Sequence, residues 1–199
     1  MNKENLNIFI IGPSGCGKST QAKLVSEKYS LTHYSMGQLL RDEIAANSVH
    51  GQTAQSFIDQ GKWVPDDLAF DILTSALEKI NNNNFVIDGF PRMLKQGIII
   101  ENYLQTKNSR VNLIIHLDVT AQEISDRRAK VAQIGGKFQE ARSDEHPEAI
   151  TARQKSYDES ITPIFEHYKN DPRFIHIDGN RPIEPIFNDI CAAVENQNK

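Results

Sequence analysis

The chain has only two cysteines, Cys16 and Cys191, in 199 residues. Two thiols cannot build a disulfide framework or a four-thiolate zinc site. A reducing, cytoplasmic setting without zinc is therefore expected. No apolar run approaches the roughly 20 residues that a helix needs to cross a bilayer, so no membrane partner is expected. Met1 to Asn5 leads almost directly into the first apolar stretch, and no signal peptide is read there. Excess positive charge is also missing. Lysine and arginine total 22 against 26 acidic residues, a net charge of −4, which argues against a nucleic-acid-binding surface. The six histidines, His33, His50, His116, His146, His167 and His176, show no metal-ligand spacing and are read as structural or exposed. What remains is 39% hydrophobic and 24% charged, the balance of one globular domain able to bury a core without staples.

Against that background one stretch carries chemistry. Gly12-Pro13-Ser14-Gly15-Cys16-Gly17-Lys18-Ser19-Thr20 satisfies the phosphate-loop pattern G-x-x-x-x-G-K-[ST]. An apolar strand, Asn7 to Ile11, precedes it, and a helix opens at Gln21 to Val25. Glycines let backbone N–H groups curl around phosphate oxygens, and the helix N-terminus adds partial positive charge. Lys18 is assigned to the β- and γ-phosphates and the Ser19 hydroxyl to Mg²⁺. Cys16 is read as a small spacer within the loop. The pattern implies a bound nucleoside triphosphate.

Five β-rich runs are read along the chain: Asn7–Ile11, Leu31–Tyr34, Phe85–Asp88, Val111–Asp118 and Phe174–Asp178. Helical periodicity separates them, most clearly from Asp66 to Ile80, with Asp66 read as the N-cap and Asn81 to Asn84 as a terminating turn. Another helix is read from Pro182 onward. Alternating strands and helices predict an α/β fold of three layers around a central five-stranded parallel sheet. Ligands of such sheets bind beyond the carboxyl ends of the strands, where Gly12 and Asp88 should meet. Asp88 closes an apolar strand, as a carboxylate that holds Mg²⁺ directly or through water would. Two segments fit the sheet poorly, residues 35–64 and residues 129–141, and both are read as moving parts over a site.

A second set of motifs sharpens the reading. Asp88-Gly89-Phe90-Pro91-Arg92 follows the third strand, His33-Tyr34-Ser35-Met36-Gly37-Gln38-Leu39-Leu40-Arg41 overlaps the second, and Gly61-Lys62-Trp63-Val64-Pro65-Asp66 precedes the amphipathic helix. With the phosphate loop, this set closely resembles the adenylate kinase family of nucleoside monophosphate kinases over nearly the whole chain. The resemblance implies a P-loop kinase fold spanning 1–199. Residues 35–64 would form the subdomain that clamps the monophosphate, and residues 129–141 a short, zinc-free LID. It also implies MgATP and AMP as substrates, two ADP as products, and a monomer. The ATP site implied is Gly12, Gly15, Cys16, Gly17, Lys18, Ser19, Thr20, Arg127 and Arg181. The AMP site implied is Met36, Arg41, Lys62, Trp63, Val64, Gly89, Arg92, Gln96, Arg142 and Arg153. Lys18, Arg92, Arg127, Arg142 and Arg153 would be catalytic, and Ser19 and Asp88 would face the metal.

The charge logic stands beside the resemblance. Phosphoryl transfer needs alignment and neutralised charge more than covalent help, and arginine's planar fork suits phosphate oxygens. Arg128, next to Arg127, could take its role if the helix register differs. Trp63 is expected to pack at the edge of the clamp rather than to stack on a base. Some residues depart from the family pattern. Ser19 replaces the usual glycine, Met36 and Met93 stand where threonine is usual, and Val131 replaces a further arginine. These departures leave a UMP/CMP-type kinase as the alternative acceptor class. A nucleotide-binding regulator is a further reading. A kinase for a small metabolite would leave Asp88 to Arg92 without a use.

Overall fold

The computed structural model describes residues 5–60, 62–133 and 147–197. The elements run β1 (Asn7–Ile11), α1 (Lys18–Tyr29), β2 (Thr32–Ser35), α2 (Met36–Ala45), α3 (Val49–Ile58), α4 (Asp66–Glu78), β3 (Phe85–Asp88), α5 (Leu94–Thr106), β4 (Leu113–Asp118), α6 (Ala121–Gln133), α7 (Pro147–Tyr168), β5 (Phe174–Asp178) and α8 (Ile183–Gln197). The strands form one five-stranded sheet in the order β2-β3-β1-β4-β5, every pairing parallel. This is the α/β architecture that the alternation of elements predicts.

The strands are apolar on both faces because both faces are covered. Successive side chains alternate sides. Phe9, Ile11, Phe85, Ile87 and Ile114 therefore face Leu73, Leu77, Ile100, Leu104, Ile164 and Tyr168 of α4, α5 and α7. Ile8, Ile10, Val86, Leu113 and Ile115 face the opposite way, onto Ala22 and Val25 of α1 and Ile186, Ile190 and Val194 of α8. The register aligns the carboxyl ends: Asp88 lies beside Ile10 on one flank and Ser35 on the other. β3 and β4 leave β1 on opposite sides, so the crevice at the end of β1 is a topological switch point. Among the described residues no helix is long and apolar enough to cross a membrane.

Local details depart from the sequence reading by small amounts. Pro65 occupies the N-cap of α4, and Asp66 becomes its first residue, where its charge meets the positive end of the helix. The asparagine run works as turn chemistry. Asn81, Asn82 and Asn84 have φ of 53°, 57° and 59°, a conformation asparagine tolerates better than most residues. Residues 129–133, the expected start of the LID, continue helix α6; the rest of that segment lies outside the described residues.

The excursion between β2 and α4 is a tight helix pair. Ser48 caps α3 by accepting from the Gly51 N–H at 2.9 Å, and its hydroxyl also bonds the Glu43 carboxylate. Gly51 touches the end of α2 directly. A Cβ added there would sit 2.1 Å from the Glu43 carbonyl oxygen. That neighbour is backbone and cannot swing away. We expect Gly51→Ala to lower the unfolding free energy by about 1–3 kcal/mol in a urea titration. Gly37→Ala, whose new methyl meets only the end of the Arg41 side chain at 3.3 Å, is expected to cost less.

Candidate active site

The phosphate loop spans the gap between β1 and α1. Gly15 has φ of 86°, a left-handed conformation that favours glycine. Helix α1 starts at Lys18 with no side chain capping it and no acidic residue in its first turn. Its leading N–H groups are therefore available to an anion. Lys18 is 6% exposed, and its ammonium donates to the carbonyls of Gly12 at 3.0 Å and Pro13 at 2.7 Å. Burial pulls its pKa below the usual lysine range, and the nearby Arg92 charge adds to that; Cys16 and Asp88 pull the other way. A buried cation held by two carbonyls gains from an anion arriving beside it.

Asp88 ends β3 at 4% exposure. Its Oδ1 accepts from Ser19 Oγ at 3.1 Å and Ser35 Oγ at 3.4 Å, and its Oδ2 accepts from His33 Nε2 at 2.7 Å. Burial alone would raise its pKa. The His33 hydrogen bond and the charges of Lys18 and His33 outweigh burial and hold the carboxyl below the usual aspartate range. Asp88 and Ser19 thus meet as the sequence reading requires. His33, read from the sequence as structural or exposed, is the partner with the shortest hydrogen bond to the Asp88 carboxylate. A lone histidine on a short strand carries no spacing signal, so only the parallel pairing of β2 with β3 could have revealed it.

The arginines divide into two groups. Arg92 lies in the turn after β3, its Nε donating to the Gly89 carbonyl at 2.7 Å. Its guanidinium carbon sits 4.5 Å from the centre of the Trp63 indole. Its Nη1 is buried with no hydrogen-bond partner among the described residues. Arg41 from α2 and Arg153 from α7 line the same cavity as Arg92. Arg127 behaves differently. Its Nη1 donates to the Cys16 carbonyl at 2.8 Å, its Nη2 to the carbonyls of Gly179 at 2.5 Å and Arg181 at 3.3 Å, and its Nε bonds Glu123 at 2.8 Å. It ties the phosphate loop to the turn after β5. Arg128 adds a bond from Nη2 to the Ser14 carbonyl at 3.0 Å. Arg181 turns outward to Asp178 and Asp189. Thr20 is exposed at the start of α1. Arg142 lies outside the described residues.

Beside the loop is a cavity of about 270 Å³. Met36, Leu40, Ile44, Ile58, Val64, Ala69 and Phe90 give it apolar walls, while Ser14, Arg41, Lys62, Arg92 and Arg153 give it polar edges. Trp63, Gly89 and Gln96 also line it. Gln96 is 4% exposed and engaged at both ends: its Oε1 accepts from the Arg92 N–H at 2.7 Å, and its Nε2 donates to Asp66 at 2.9 Å. Because Ser14 belongs to the phosphate loop, loop and cavity form one continuous site. An apolar pocket with cations between it and an anion-binding loop suits two phosphorylated ligands meeting end to end.

Comparison with known proteins identifies the family. The family model for adenylate kinase matches residues 10–172. The chain belongs to the adenylate kinase family. It is 37% identical to an adenylate kinase of Bacteroides fragilis over 191 residues, covering 96% of this chain and 98% of that one. It is 38% identical to an adenylate kinase of Phocaeicola vulgatus with the same coverage, and 33% identical to one of Clostridium tetani over 95% of this chain and 98% of that one. Membership makes the chain a nucleoside monophosphate phosphotransferase. Nothing in the comparisons favours the UMP/CMP-type or regulatory alternatives.

A second histidine group lies under the loop. His116 of β4 is 4% exposed; its Nε2 shares a hydrogen bond with the Tyr157 hydroxyl at 2.8 Å and its Nδ1 one with His176 Nδ1 at 3.2 Å. Tyr157 lies one helical turn beyond Arg153, so this bond braces α7 against the sheet. Burial, then the His176 and Lys18 charges, push the His116 pKa from 6.5 down to about 4. Between those values the unfolded chain binds the extra proton and the folded one does not. Stability should therefore fall as the pH drops from 6.5 towards 4, by about 3 kcal/mol in all. Urea unfolding at a series of pH values across that window measures the slope, and His116→Gln should flatten it.

Proposed function

We propose that this chain transfers the γ-phosphoryl group of MgATP to AMP, giving two ADP. One observation carries the reading: Arg92 Nη1, buried and without a hydrogen-bond partner among the described residues, belongs to a side chain that lines the apolar cavity together with Ser14 of the phosphate loop. A buried charged donor without an acceptor costs free energy, and an acceptor phosphate removes that cost.

On this reading the triphosphate lies on the loop N–H groups of Gly12 to Thr20, with Lys18 exchanging its two carbonyl partners for phosphate oxygens. The acceptor phosphate lies against Arg41, Arg92 and Arg153, and its base fills the cavity by Met36, Lys62, Trp63, Val64, Gly89 and Gln96. Arg127 reaches the transferring phosphate only by giving up backbone carbonyls; meanwhile it shapes the donor rim beside Arg181. Arg142 completes the cationic ring. No general base is needed, because the attacking phosphate oxygen is already ionised.

The donor set fits Mg²⁺. One ionised carboxylate, Asp88, and one hydroxyl, Ser19, are what an ion that keeps waters and takes phosphate oxygens requires of the protein. Among the described residues there is no cluster of three or more His, Cys, Asp or Glu that would hold a metal by itself. Bound there, Mg²⁺ would neutralise charge on the phosphate oxygens. Residues 35–64 act as the acceptor clamp and residues 129–141 as the LID, and their closure excludes water as a rival acceptor. We read the protein as a cytoplasmic monomer acting in nucleotide biosynthesis.

An acceptor panel with ATP fixed tests the assignment. AMP should be phosphorylated faster than UMP or CMP. Lys18→Ala and Arg92→Ala should each lower kcat by about 10²–10³, with circular dichroism unchanged. Preference for UMP or CMP would overturn the choice of base, and ATP hydrolysis indifferent to any monophosphate would overturn transfer itself.

A further inference from the structure

Arg92 is held in two independent ways. In its plane, Nε is fixed by the Gly89 carbonyl at 2.7 Å. Out of reach of that bond, the guanidinium carbon lies over the Trp63 ring, 4.5 Å from its centre. All five N–H groups of a guanidinium point outward in its plane, whereas its faces are weakly hydrated. A ring beneath the cation therefore attracts and holds it without needing a hydrogen-bond donor. The in-plane bond fixes one edge and leaves Nη1, buried and without a hydrogen-bond partner among the described residues, to a ligand.

We propose that Trp63 is a positioning residue, whose indole face holds the Arg92 fork in the orientation that receives the acceptor phosphate. This rests on the reading of the cavity as the acceptor site. Indole is the strongest of the aromatic partners for a cation. Restraint matters here, because the Asp88 carboxylate pulls on this guanidinium while the Arg153 charge pushes on it. Trp63 Nε1 is itself buried with no hydrogen-bond partner among the described residues. No polar contact therefore places the indole, and an orphaned N–H works against stability. The ring is held by its face. Trp63 lies on the short link from α3 to α4, so the stack also connects the helix pair of residues 36–58 to the phosphate-binding arginine.

The chain contains one tryptophan, which lets the stack be read directly. Arg92→Ala should change the tryptophan emission of the nucleotide-free protein, and adding AMP to the wild type should change it again. In steady-state kinetics, Trp63→Leu should raise the KM for AMP about 5- to 30-fold and leave the KM for ATP unchanged. Trp63→Phe, which keeps a ring face but no N–H, should recover most of the loss. Equal defects in the Leu and Phe variants would overturn the proposal. So would a parallel rise in both KM values, or an emission spectrum indifferent to Arg92→Ala. If the wild type makes no ADP from AMP, the acceptor reading fails instead, and the emission change on Arg92→Ala still decides whether the stack exists.

Discussion

A carboxylate buried at the end of a parallel strand organises this molecule. Asp88 cannot stay ionised in the interior without partners, and it takes three from two elements: Ser19 of α1, and His33 and Ser35 of β2. Those bonds fix the first turn of the phosphate-binding helix against the sheet's edge strand. They also keep one anion within reach of Lys18, whose burial would otherwise be costly. The spatial order β2-β3-β1 brings these groups together although they are distant in the chain.

The rest of the site is an arrangement of cations around that anion. Lys18 and Arg92 are both depressed in pKa chiefly by burial; the Arg92 charge also lowers Lys18, and the Arg153 charge lowers Arg92. Like charges in a poorly solvated place favour an arriving phosphate, which offsets the repulsion and supplies acceptors together. The apolar cavity beside them adds shape and dryness. Binding strength and charge stabilisation thus come from neighbouring but chemically distinct surfaces.

Much of this was legible in the residues. The phosphate loop is a local pattern, so Gly12 to Thr20 could be read directly, and Asp88 stood out as a charge closing an apolar run. The five parallel strands followed from alternation. Contacts between strands distant in sequence were less legible. His33 meets Asp88 through pairing, His116 meets Tyr157 across the sheet's face, and neither histidine has a spacing that announces it. The arm of residues 35–64 was visible as an excursion, but its two helices and the close approach at Gly51 were not, because a single glycine in a short helix has many explanations. Arg127 was identifiable as an arginine near the loop; its use of three backbone carbonyls depends on where the turn after β5 lies.

That use of Arg127 bears on how the donor side of the crevice receives a ligand. One flat guanidinium is shared among the carbonyls of Cys16, Gly179 and Arg181, so the loop after the central strand β1 and the turn after the edge strand β5 are stitched into a single rim. Hydrogen bonds from a charged donor contribute about 1.5–3 kcal/mol each, so thermal motion seldom opens the seam. A rim already ordered loses little conformational freedom when nucleotide arrives, and more of the contact energy then appears as affinity.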